Sequence, residues 1–169
     1  YDRIAALISE LFRHACKEDK KIKITAPFRR QAEAINRTAE YIEKNFTNDK
    51  VSFVNNKGIG IKDLVFDDNS ANEVIERFKQ ENVDAIMIIN CNFGNEEAAC
   101  DLAKAIGKPC LLWAPLDDEY YVDGMRPTDS QCGLFGLSRQ LQRFRIPFSS
   151  IPSCKVDSDE FKEGFERFI

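Results

Sequence analysis

Two short apolar runs constrain this chain more than any other feature. Residues 85–89 (AIMII) and 110–113 (CLLW) are too short for helices and apolar throughout, the pattern of strands buried on both faces of a sheet. Each stops at polar residues: Asn90-Cys91-Asn92 after the first, and an acid-rich stretch beginning at Asp117 after the second. Helical periodicity follows both, over residues 95–106 and 130–144. Strand, loop and helix, twice in succession, is the repeating unit of a parallel sheet, and ligands of such sheets sit just beyond the carboxyl ends of the strands.

The flanking sequence extends the same alternation. Residues 1–17 form an amphipathic helix, with Ile4, Leu7, Ile8, Leu11, Phe12 and Ala15 at helical spacing. Residues 21–26 alternate and meet Pro27, a short first strand; Pro27-Phe28-Arg29-Arg30 is a loop into a helix over 31–45 with Ala32, Ile35, Ala39 and Ile42 on its buried stripe. A second strand spans 51–54, and an irregular stretch with Gly58 and Gly60 follows it. Asp67-Asp68-Asn69-Ser70 supplies N-caps for a helix over 71–82. After the two central units, 146–151 makes a fifth strand broken by Pro147 and Pro152, and Asp157-Ser158-Asp159 caps a last helix bearing Phe161, Phe165 and Phe168. The fold class expected is therefore α/β: a doubly wound, mostly parallel five-stranded sheet with helices on both faces, flavodoxin-like in its order 2-1-3-4-5.

Composition narrows the function. The 169 residues suit one domain, and a net charge of −4 argues against nucleic acid as a partner. No apolar segment approaches the ~20 residues that span a bilayer, so no membrane partner is expected. Six cysteines lie far apart with no CxxC, which points to reduced thiols and a cytoplasmic setting. The single histidine, His14, near the end of the first helix, is a surface residue without a visible partner, and zinc or a His-based dyad needs more.

Chemistry, if present, belongs to the loops. In Asn90-Cys91-Asn92-Phe93-Gly94-Asn95, the amides suit sugar hydroxyls and the Phe93 ring suits an apolar sugar face, while Asn95 alone accounts for a capped helix. The stretch 117–129 is long for a loop inside a compact domain; its Tyr120 and Tyr121 suit a binding or subunit contact, and its acids either chelate a metal or face water. Asp129 or Ser130 caps the next helix, and Cys132 in its first turn is either a thiol of lowered pKa or a small packing residue. Arg29 and Arg30, after the first strand, are candidate anion-binding residues on the same sheet edge. A flavin phosphate loop, a phosphoacceptor Asp after the third strand and a G-x-G-x-x-G fingerprint are all missing.

Residues 90–96 (NCNFGNE), 107–115 (GKPCLLWAP) and 123–134 (DGMRPTDSQCGL) together resemble the N-terminal domain of the L-fucose/L-arabinose isomerase-like family. The resemblance covers about the middle third of the chain. It implies a parent protein that interconverts an aldose and a ketose, an intramolecular oxidoreductase using a divalent metal, typically manganese, held by Glu, Asp and His of later domains. No catalytic residue, metal ligand or cofactor is then expected in this chain itself. The loops after the third and fourth strands would complete the active site of a neighbouring subunit, with Asn90, Cys91, Asn92, Phe93, Trp113, Arg126 and Asp129 as the substrate-binding or interface residues. In fucose-type members an aromatic in the loop after the third strand takes part; here Cys91 stands at that position and Phe93 lies two residues on.

The chain begins without Met and stops on Phe168-Ile169, so residues 1–169 are expected to be one α/β domain of a longer isomerase-like chain. Its partners would be its own later domains, neighbouring subunits of an oligomer and the sugar. Two rival readings remain: a non-catalytic α/β carbohydrate or small-ligand binding module, and a structural assembly domain.

Overall fold

The computed structural model describes residues 26–117 and 128–169, with side chains of the first segment described from Ala32 onward. The expected helix over 1–17 with His14, all of the first strand but Ala26, and the loop core 118–127 with Tyr120, Tyr121 and Arg126 lie outside the described residues. Among the described residues eight elements follow in order: α1 (Ala26–Phe46), α2 (Asp68–Gln80), β1 (Ile86–Ile89), α3 (Glu96–Ile106), β2 (Cys110–Pro115), α4 (Ser130–Arg143), β3 (Ser149–Cys154) and α5 (Asp159–Phe168).

The three strands form a parallel sheet in the order β1-β2-β3. They are the expected third, fourth and fifth strands, in the expected order. β2 is central, pairing Ile86 with Cys110 and Ile89 with Trp113 on one side and Leu111 with Ser149 on the other. Its alternation decides the two cores. Leu111 and Trp113 face α1 and α5, packing with Ile42, Ile151, Phe161 and Phe165. Leu112 faces the opposite side, with Cys100 and Ala103 of α3 and Leu137 and Leu141 of α4. On that same side Ile86 packs with Val74 and Ile75 of α2 and Leu102 of α3. Helices thus cover both faces.

Four expectations need correction. Pro27-Phe28-Arg29-Arg30 is not a loop, because α1 starts at Ala26 and places Pro27 in its first turn. There the missing N–H of proline would have had no intrahelical acceptor anyway. Residues 51–54 are not a strand. Val51 and Phe53 do pack on the α1/α5 core, as alternation predicts, but a strand also needs a ladder, and none forms with this segment among the described residues. The five-stranded order is therefore seen only in its last three members. The fifth strand runs over Ser149–Cys154 rather than 146–151. Pro152 sits inside it, tolerated beside a register shift between Trp113 and Pro115 on an outer strand of the described sheet. The helix expected over 71–82 begins earlier, at Asp68, because the Asp67 carboxylate accepts from Ser70 N at 2.8 Å in a reciprocal cap.

Candidate functional site: the rim beyond β1 and β2

The carboxyl ends of β1 and β2 lead into two turns that the chain ties together. Asn90 continues the ladder, its N–H donating to Trp113 O at 2.9 Å. Cys91 is 4% exposed, and its carbonyl is the joint: it accepts from Asp129 N at 3.1 Å and from Ser130 Oγ at 3.3 Å. Ser130 is fully buried and Thr128 nearly so, which suits polar groups whose bonds are made inside the protein. On the β2 side, Leu116 N donates to Cys154 O at 3.0 Å, and the Asp117 carboxylate accepts from Ser130 N at 2.8 Å. The two ends of the long β2–α4 connection thus meet at the first residue of α4.

Helix starts fix the rest of the rim. Asn95 caps α3, its Oδ1 accepting from Ala98 N at 3.0 Å, and Glu96 and Glu97 in the first turn complement the positive end of the helix dipole. Gly107, left-handed at φ 64°, ends the same helix. Asp129 stands at the N-cap position of α4 without making the cap bond from its side chain; Asp117 makes that contact instead.

The turn between β1 and α3 lies on α4. A Cβ at Gly133 would collide with Asn90 Oδ1 and Asn92 O, so only glycine permits the approach. One turn later, a Cβ at Gly136 would stand 3.9 Å from the Phe93 ring and 3.4 Å from Glu96 Oε1. Asn92 Oδ1 accepts from Phe93 N at 2.8 Å, which leaves its amide nitrogen without a partner among the described residues. Phe93, in the turn after β1, is 63% exposed.

Of the residues singled out from sequence, the structure brings Asn90, Cys91, Asn92, Phe93 and Asp129 together. Trp113 joins the rim only through its carbonyl, which accepts from Asn90 N; its side chain is fully buried in the core, the ring 4.6 Å from that of Phe161. Arg126 lies outside the described residues. Arg29 and Arg30 belong to helical backbone, and their side chains lie outside the described set. Cys132 is half-buried in the first turn of α4. Sequence reasoning missed three parts: Asp117 as the cap of α4, Ser130 as the buried joint, and Gly133 and Gly136 as one groove. The last had a signal, two glycines three apart in a helical stretch. Among the described residues no three His, Cys, Asp or Glu side chains converge to hold a metal ion. No helix among them is long and apolar enough to cross a membrane.

A sequence model of the fucose/sulfoquinovose isomerase N-terminal domain matches residues 25–169. The chain belongs to that family. No curated protein and no solved structure gives a significant match. The match takes in far more than the segment between Asn90 and Leu134 that carries the visible resemblance. It includes α1, α2, β3 and α5, whose residues have no distinctive motif. The rim is therefore a feature of a fucose/sulfoquinovose isomerase N-terminal domain, built where α/β sheets generally place ligands.

Proposed function

We propose that this chain is the substrate-pocket and assembly domain of a metal-dependent aldose–ketose isomerase of the fucose isomerase type. In this reading the rim beyond β1 and β2 forms one wall of a sugar pocket, and a later domain or a neighbouring subunit forms the other. The metal, manganese by preference, and the acid/base groups that move protons belong to that other wall. Within this chain, the part played is binding and orientation: Asn92 offers amide hydrogen bonds to hydroxyls, and Phe93 offers a ring to the apolar face. The observation that carries the reading is the exposed Phe93 ring beside the half-buried Asn92, on a turn packed against Gly133 of α4.

Calorimetric titration of the full-length protein with fucose and with sulfoquinovose tests it. Replacing Phe93 by Ala is expected to weaken binding of the preferred sugar about tenfold, the worth of one well-packed aromatic contact. Asn92→Ala should weaken it about fivefold, as for one hydrogen bond. Unchanged affinity in both variants would remove the rim from the pocket and leave an assembly role. Full sugar affinity with no isomerisation under manganese would favour the non-catalytic binding module.

A further inference from the structure

Asn90 is placed differently from its neighbours. Its side chain turns inward from the end of β1 toward α4, and both ends of the amide are used within the chain. Oδ1 accepts from Asn92 N at 3.2 Å, and Nδ2 donates to Gly133 O at 3.3 Å. Gly133 closes the space from the other side, since any Cβ there would meet Asn90 Oδ1 and Asn92 O. Gly136 continues the groove beneath the ring of Phe93. Residues 91–93 are thus gripped between an amide and two glycines of one helix face.

Resting on the reading of the rim as a sugar-pocket wall, we propose that Asn90 is the positioning residue of that pocket. It touches no ligand; it seats the turn 91–93 in the Gly133/Gly136 groove, and the turn presents Asn92 and Phe93. The residue type follows from the task. One group must accept from an N–H and donate to a C=O, which an amide does and a carboxylate does not. An aspartate here would keep the bond from Asn92 N and set a negative oxygen against Gly133 O. Contacts of this kind matter because binding groups displaced by about 1 Å lose most of their effect.

The test measures amide hydrogen exchange and affinity for fucitol, the unreactive alditol of fucose, in the full-length protein. Asn90→Asp is expected to speed exchange at residues 91–94 while leaving the β2 amides protected. It should weaken fucitol binding about five- to tenfold. In a background of Asn92→Ala with Phe93→Ala the same substitution should change affinity less than about twofold, because nothing remains to be positioned. Gly133→Ala, which presses on the turn from the helix side, should show the same pattern. Equal weakening by Asn90→Asp in both backgrounds would overturn the proposal, for Asn90 would then act on the ligand itself. Unchanged exchange at 91–94 would overturn it as well. Failure of the pocket reading has its own signature: Phe93→Ala and Asn92→Ala leave affinity unchanged while Asn90→Asp still quickens exchange.

Discussion

Cys100 and Cys110 show how burial governs single residues here. Burial pushes the Cys100 thiol up to about 11, and the carboxylates of Asp101, Glu96 and Glu97 add to the effect. Burial also raises Cys110 to about 11, with Cys100 contributing. An unfolded thiol titrates near 9.0, so the fold disfavours both thiolates. Their contribution to stability is fully present below about pH 9 and is lost as pH rises toward 11. Urea midpoints should therefore fall across that window, and a Cys100→Ala/Cys110→Ala variant should show a shallower fall; an identical slope would contradict this. Trp113 gives the complementary lesson about legibility. An aromatic at the end of a strand is easily taken for a ligand contact, yet strand alternation puts position 113 on the side of Leu111, and that side is core. The apolar continuity of the run, visible in the sequence, already implies core on both faces, and β2 is buried at every position from Cys110 to Ala114.

Elements were legible where their determinants are local. Asn95 and Ser158 cap the helices they precede, and Asp67 caps α2 through Ser70, all within three residues of their acceptor positions. The apolar continuity of β1 and β2 likewise lies within each strand. What escaped depends on distant partners. Alternation at 51–54 says nothing about a ladder partner, and Pro152 is barred from central strands but not from an outer one. The cap of α4 comes from Asp117, 13 residues before Ser130, across a connection whose length no helix-start pattern covers. Asp117→Ala should cost about 1–2 kcal/mol in chemical denaturation, and Asp117→Asn, which keeps an acceptor oxygen, less than half of that. Equal losses for the two variants would argue that the charge, not the hydrogen bond, matters there.

At the scale of the molecule, the α1/α5 side holds the sheet through an aromatic cluster. Phe161 is fully buried, with ring centroids 4.6 Å from Trp113 and 5.4 Å from Phe46. Phe161→Ala should cost about 3–5 kcal/mol, a large part of the ~5–15 kcal/mol typical of a domain. A loss below about 1 kcal/mol would mean the cluster collapses around the gap. This core fixes β2, β2 fixes the starts of both turns, and the joint at Cys91 makes them one rim. Whether this rim is a wall of a sugar pocket is decided by a crystal structure of the full-length protein with fucitol bound. Sugar carbons are expected within about 4 Å of the Phe93 ring, with a sugar hydroxyl bonded to the Asn92 amide. A sugar bound elsewhere, with Phe93 and Asn92 open to water, would contradict the pocket reading.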